Sequence, residues 1–325
     1  MSAANKPEPR GAQILLSKRA NVFYLEHARV VVKDERIIYL TEYKKGVDRG
    51  FNLPDKNTAF LLLGKGTSLT DAAARKLAES SVMVGFCGSG GAPLFSVTDF
   101  TFLEPQSEYR PTEYMQSWIR LWIDDALRLN AAKYFLKLRI ELTLAAWARN
   151  PDLRKVGADI GETLVQEFES RIKSAKDTGQ LLSAEGDWAK KLYGILARSF
   201  KVDSFSREEG KRSREDVSAT VNGFLDHGNY IAYGYAAVAL HALGISFALP
   251  LLHGKTRRGA LVFDVADLIK DALIMPMAFA KGLERVRQQE YRNDLIYGLQ
   301  KAEVVESLIN AIVQTIEKYG QKNTL

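Results

Sequence analysis

The chain has 325 residues, 46% of them apolar and 26% charged, with a formal net charge of +6. This is ordinary soluble globular composition, long enough for two domains and a sizeable core, without fixed-period repeats or low-complexity tracts. A single cysteine, Cys87, excludes a disulfide within the chain and fits a reducing cytoplasm.

The opening MSAANKPEPRG is polar and proline-containing, so no signal peptide is expected. The next hundred or so residues are β-rich by periodicity. Strands are expected at Asn21–Leu25, Arg29–Val32 and Arg36–Thr41, the last two joined by the turn-like Lys33-Asp34-Glu35. Thr58–Leu63 reads as a strand, GKGTSLT as a loop, Asp71–Ser80 as a helix capped by Thr70, and Val82–Phe86 as a further strand. Near Pro105 the texture becomes helical. Tyr114, Trp118, Leu121 and Trp122 share one face, and helices follow at Ala131–Arg149, Gly161–Lys173, Leu182–Phe200, Val217–Leu225, Tyr230–Leu251, Val262–Gln288 and Lys301–Lys318. The fold class is therefore α+β, with a β-rich domain over 1–104 and an α-helical domain over 105–325. The polar Lys201–Asp216 segment reads as a mobile loop. The longest apolar stretch, Tyr235–Leu252, is interrupted by His241, Gly244, Ser246 and Pro250 and reads as a buried helix, not a membrane span.

Two glycine-rich stretches carry no nucleotide site. Gly64-Lys65-Gly66-Thr67 lacks the earlier glycine of a phosphate loop, and GFCGSGGAP leads into another strand-like run instead of a helix. Cys87, closing an apolar strand, is a structural thiol. Positive charge is clustered: Arg198, Lys201, Arg207, Lys211, Arg212 and Arg214 in one stretch, Lys255, Arg257 and Arg258 in another. Such clusters either stand solvated in loops or neutralise phosphates and release counterions.

LLHGKTRRGALVFDVADLIKDAL, residues 251–273, poses the sharpest chemical question. Asp264, Asp267 and Asp271 stack on one helical face among apolar residues, where like charges repel and desolvation is costly. They either face water as a solvated stripe, which spacing alone favours, or pair with Arg257 or Arg258, or bind a divalent cation. Glu185 adds a fourth carboxylate. Ser183 is a plausible cap for its helix, which would place Glu185 in a first turn favoured by the dipole. Alternatively, Glu185, His253, Asp264 and Asp267 converge on one hard cation, for which oxygen ligands and a single imidazole suit Mg²⁺ or Mn²⁺ better than Zn²⁺.

The sequence resembles the CRISPR-associated integrase family of adaptation endonucleases, most nearly its subtype I-F branch, over essentially the whole chain. The stretches carrying the likeness are SKRANVFYLEHARV, LLLGKGTSLTDAAARKLAESSVMVGFCGSGGAPLF, PQSEYRPTEYMQSWIR, SAEGDWAKKLY, VNGFLDHGNYIAYGY and HGKTRRGALVFDVADLIKDAL. The resemblance implies a β-rich dimerisation domain and a helical catalytic domain. It implies that Glu185, His253 and Asp267 are metal ligands for Mg²⁺ or Mn²⁺, with Asp264 required beside them and Asn222 in a helical motif near the site. The implied chemistry joins prespacer DNA 3′-hydroxyls to the leader–repeat of a CRISPR array by transesterification. The implied partners are double-stranded DNA, a second copy of the chain, and a small ferredoxin-like adaptation protein, in this branch usually fused to a helicase–nuclease; no membrane role is implied. Lys255, Arg257, Arg258, Arg198, Lys211, Arg212 and Arg214 are the candidate DNA contacts. Trp188 and Tyr193 are read as core packing before duplex-end caps.

Overall fold

The computed structural model describes residues 19, 21–44, 47–86, 112–203, 205–208, 216–254 and 259–320. The chain divides into two compact units, one holding the strands up to Gly85 and the other the helices from Glu113 onward.

In the first unit β1 (Asn21–Leu25) runs parallel to β5 (Thr58–Leu63), and β7 (Met83–Phe86) completes that sheet in the order β1-β5-β7. β5 is buried along its whole length, as its unbroken TAFLLL run requires of a central strand. The second sheet has the order β4-β3-β2-β6, formed by β2 (Ala28–Lys33), β3 (Arg36–Lys44), β4 (Val47–Leu53) and β6 (Ser68–Leu69). Lys33 pairs with Arg36 across a two-residue turn, Asp34-Glu35, whose positive φ values of 48° and 58° match a type I′ hairpin. Val30, Ile37, Leu53, Leu61, Leu77 and Val84 form the core of this unit. Helix α1 (Asp71–Glu79) is capped by Thr70 Oγ1, which accepts the Ala73 N–H at 3.3 Å. Strand β4 was not foreseen, because VDRGFNL is half polar and contains a glycine.

The second unit is helical: α2 (Glu113–Ile123), α3 (Asp125–Arg149), α4 (Pro151–Val156), α5 (Glu162–Ser174), α6 (Thr178–Ser199), α7 (Val217–Ala242), α8 (Ala260–Ile269), a π-turn (Lys270–Ile274), α9 (Met275–Glu284), α10 (Gln288–Lys301) and α11 (Val304–Tyr319). Helix α8 and the π-turn pack against both α3 and α7, and α6 packs on α3 and α9. Among the described residues no helix is long and apolar enough to cross a membrane.

Three local expectations change. Residues 217–242 form one unbroken helix, although Asp226-His227-Gly228-Asn229 has the composition of a turn. Gly228 is there for packing: a Cβ would overlap the Ile274 side chain and come within 2.7 Å of the Tyr291 hydroxyl. The Val262–Gln288 run is interrupted by the π-turn, where the Met275 N–H reaches back to the Lys270 carbonyl. Pro276, two residues into α9, has no N–H for the Ala272 carbonyl, which favours an irregular ladder at that place. Finally, α6 starts at Thr178 and not near Leu182. Asp177 is its cap, accepting the Gln180 N–H at 2.8 Å, so Glu185 lies two turns inside the helix and the first-turn dipole does not account for it.

Candidate active site

The site begins with the segment before His253. Two indoles of α2 hold it from outside: Trp118 Nε1 donates to the Leu249 carbonyl at 3.0 Å, and Trp122 Nε1 to the Pro250 carbonyl at 2.8 Å. From inside it is gathered by one carboxylate. Asp264 Oδ2 accepts the N–H groups of Leu251 at 2.6 Å and Leu252 at 3.1 Å, and Oδ1 accepts the His253 N–H at 3.0 Å. The His253 ring adds a fourth contact, Nδ1 to Asp264 Oδ1 at 2.6 Å. Asp264 thus orients the imidazole so that Nδ1 carries the proton and the Nε2 lone pair is left for another partner. Gly259, with φ of 73°, then turns the chain into α8.

His253 Nε2 lies 3.9 Å from Oδ2 of Asp267, one turn further along α8. The other Asp267 oxygen pairs with Lys270 Nζ at 2.5 Å, and that ammonium also donates to the Tyr233 hydroxyl at 3.2 Å and sits over its ring. Burial opposes charge on Asp267, but Lys270, Arg139 and His253 outweigh it and hold its pKa below the usual carboxylate range. Burial likewise opposes a charged His253. The Asp264 hydrogen bond and the charges of Asp267, Asp264 and Glu185 prevail, and its pKa rises above the ordinary imidazole value.

Deeper in the helical unit, Arg139 of α3 is buried between two acids. Its Nε and Nη2 clasp Asp271 at 2.6 and 2.9 Å, while Nη1 donates to Glu185 Oε1 at 2.7 Å. Asp271 also receives the Trp188 indole N–H on Oδ2 at 2.9 Å and the Trp147 indole N–H on its carbonyl at 2.8 Å. Desolvation weakens the charged guanidinium, yet Asp271, Glu185 and Asp267 together raise its pKa well above the ordinary arginine value.

The solvated-stripe expectation for the aspartates does not survive: Asp264, Asp267 and Asp271 are 2%, 7% and 0% exposed. Their partners are His253, Lys270 and Arg139. The proposed partners Arg257 and Arg258 lie, with Lys255, Lys211, Arg212 and Arg214, outside the described residues. Arg198 is described, and it is exposed in the last turn of α6. Trp188 is core, stacked on Phe168 at 4.8 Å. Asn222 is buried and holds the Ser206–Glu208 segment by accepting the Glu208 N–H at 3.0 Å and donating to the Ser206 carbonyl at 2.8 Å. Cys87 lies outside the described residues. Neither Arg139 nor Lys270 stands out as a site residue in the sequence, though each leaves a signal. Arg139 falls in the buried stripe of Ala132, Phe135, Leu136, Ile140, Thr143 and Trp147, and Lys270 is three residues from Asp267.

The donor set fits a hard divalent cation in kind: two carboxylates and an imidazole nitrogen whose other ring nitrogen is fixed. Two ligands at about 2.1 Å from one ion stand up to about 4.2 Å apart, a span that admits the 3.9 Å between His253 Nε2 and Asp267 Oδ2. Glu185 is 17% exposed at its side chain, and its Oε2 makes no hydrogen bond among the described residues. Among the described residues no three His, Cys, Asp or Glu side chains are already drawn together tightly enough to hold one ion. Instead, cationic side chains stand against the acids, Lys270 on Asp267 and Arg139 on Glu185.

The sequence matches the family described as CRISPR associated protein Cas1 over residues 23–311. It is 42% identical over 320 residues to a CRISPR-associated endonuclease Cas1 of Pseudomonas aeruginosa, covering 96% of each chain. Among solved structures it resembles TtCas1 in complex with DNA, with 24% identity, 94% of each chain covered and a TM-score of 0.65. It also resembles a CAS1 protein from Thermotoga maritima, with 13% identity, 94% of this chain and 98% of that one covered, and a TM-score of 0.70. These two likenesses are of fold.

Proposed function

The chain belongs to the CRISPR-associated Cas1 family, and on that premise we propose that it is a metal-dependent DNA endonuclease and integrase of CRISPR adaptation. Its β-rich domain, residues 1–104, serves dimerisation, and the helical domain, 105–325, carries the chemistry. The protein works in the cytoplasm, beside a small ferredoxin-like adaptation partner. The single observation that carries this reading is His253, fixed by Asp264 through Nδ1, presenting Nε2 to Asp267 at 3.9 Å.

The reaction is a transesterification. The 3′-hydroxyl oxygen of a prespacer end attacks a phosphorus at the leader–repeat boundary, and the displaced 3′-oxygen leaves on the array strand. One phosphodiester forms as one breaks, so catalysis consists mainly of positioning and of neutralising charge on the phosphoryl oxygens. Glu185, His253 and Asp267 would hold Mg²⁺ or Mn²⁺, which supplies Lewis-acid polarisation of a phosphoryl oxygen. Asp264 keeps the imidazole in the ligating tautomer and folds Leu251–His253 into place. Lys255, Arg257 and Arg258, beside His253 in sequence, and Arg198, Lys211, Arg212 and Arg214 bind phosphates. TtCas1 was solved with DNA bound, which supports DNA as the ligand class here.

The test is strand joining of labelled DNA ends into a supercoiled repeat-bearing plasmid, with the adaptation partner supplied, in Mg²⁺ or Mn²⁺ and in chelator. Asp267→Ala and His253→Ala should abolish joining and leave DNA binding largely intact. Wild-type-like joining by either variant overturns the site. A second reading, a DNA-binding scaffold with a purely structural acidic cluster, draws on the ion pairs of Lys270 and Arg139 with the carboxylates. It predicts no joined product under any metal.

A further inference from the structure

We infer that Arg139 is a positioning residue for Glu185, anchored by Asp271 in the π-turn, and that this buried fork presets the Glu185 carboxylate for a divalent ion. This rests on the reading of Glu185, His253 and Asp267 as an ion site. A guanidinium offers five donors in a fixed plane. Nε and Nη2 are taken by the two oxygens of Asp271, and Nη1 is aimed at Oε1 of Glu185.

The arrangement is more than a link between helices. The Asp271–Arg139 fork alone would tie the π-turn to α3, and it already satisfies both Asp271 oxygens. The Trp147 indole, on α3 two turns beyond Arg139, secures the Asp271 carbonyl. The Trp188 indole, three residues along α6 from Glu185, secures Oδ2. Asp271 therefore fixes both the arginine that holds Glu185 and the helix that carries it.

The charge balance points the same way. Asp271 and Arg139 cancel, so the negative charge of Glu185 remains for a cation, and Arg139 engages only one of its two oxygens. A ligand already ordered loses less rotamer freedom when an ion arrives. The π-turn is the device that admits this: it departs from the α-helical ladder just where Asp271 must turn inward, 0% exposed, to meet Arg139.

The experiment measures Mn²⁺ alone binding to the full chain without DNA, by electron paramagnetic resonance titration, beside Tm and the Mn²⁺ dependence of strand joining. Wild type is compared with Arg139→Lys, Asp271→Asn, Trp188→Phe and Glu185→Gln. Arg139→Lys retains the charge and loses the fork, and Asp271→Asn retains the volume and loses the anchor. Each should weaken Mn²⁺ binding about 10- to 100-fold, with joining by Arg139→Lys recovered at saturating Mn²⁺: a raised KM for the ion and a kcat within a few-fold. Trp188→Phe, the mildest change, should give a smaller loss in the same direction. A lowered Tm with unchanged Mn²⁺ affinity in these variants overturns the inference, leaving Arg139 purely structural. A raised affinity also overturns it, making Arg139 a competitor for Glu185. If wild type itself fails to bind Mn²⁺, the ion site falls and the inference with it. If wild type binds, Glu185→Gln weakens binding and Arg139→Lys does not, only the positioning role falls.

Discussion

Asp264→Asn keeps the size of the side chain, removes its charge and tests how the His253 segment is built. Four contacts reach the carboxylate, two on each oxygen. With the amide nitrogen in the place of Oδ2, the Leu251 and Leu252 N–H groups each face a donor. With it in the place of Oδ1, the His253 N–H loses its acceptor, and the ring must reverse its tautomer, putting the proton on Nε2. Each lost bond to a charged acceptor is worth roughly 1.5–3 kcal/mol. One or two such losses destabilise the helical unit by about 3 kcal/mol, a fall of about 6–12 °C in Tm for a unit of this size. His253→Ala is the comparison: it spares all three backbone bonds to Asp264 and removes only the ring's bond to the carboxylate, roughly 1.5–3 kcal/mol. The assay is equilibrium urea unfolding followed by far-ultraviolet circular dichroism, with thermal scans beside it. An Asp264→Asn protein within about 1 kcal/mol of wild type, below the cost of even one such bond, refutes the reasoning.

Lys270→Met leaves Asp267 buried without its nearest cation and should cost about 3 kcal/mol or more, in urea unfolding, with the Asp267→Asn/Lys270→Met pair recovering much of the loss; equal stability of single and double variants contradicts this. Trp118→Phe and Trp122→Phe each remove one indole hydrogen bond, about 1 kcal/mol, and should speed amide exchange at Leu251, Leu252 and His253; unchanged exchange there shows that the indoles do not hold the segment. The raised His253 pKa fixes a sign for pH: the fold favours the imidazolium, so that stabilisation is complete below the ordinary value of 6.5 and fades as pH climbs through the raised folded-state value. Urea midpoints of the metal-free protein should show that fall in wild type and lose it in His253→Gln; parallel pH profiles contradict the assignment. Mn²⁺ affinity should run the opposite way and strengthen over the same window, because only neutral imidazole ligates.

Much of the frame was legible from periodicity, and the reasons for the failures are local. The run TAFLLL, and the β-branched and aromatic content of Arg29–Val32 and Arg36–Thr41 on either side of a turn signal, announced their strands, and Trp118 and Leu121 announced the buried face of α2. Residue chemistry offered Glu185, His253, Asp264 and Asp267 as one alternative among several, and family likeness chose it, since three carboxylates on a helix face read, by spacing alone, as a solvated stripe before a buried cluster. Their burial depends on cations from elsewhere in the fold. Arg139 lies 132 residues from Asp271 in sequence, and no local pattern pairs them. The π-turn was also hidden, because hydrophobic spacing hardly registers one widened turn; Pro276 was the only local hint. Asp226-His227-Gly228 misled in the other direction, since a glycine needed for close helix packing has the same letter as one needed for a turn.

Crystals soaked in Mn²⁺ and measured for anomalous scattering test the shared ligation by Glu185, His253 and Asp267 most directly. The expected result is a peak within about 2.2 Å of His253 Nε2 and of an oxygen from each acid, with Arg139 still on the other Glu185 oxygen and Lys270 displaced from Asp267. Full Mn²⁺ occupancy elsewhere, with Lys270 still seated on Asp267 and Nε2 of His253 bare, would contradict it.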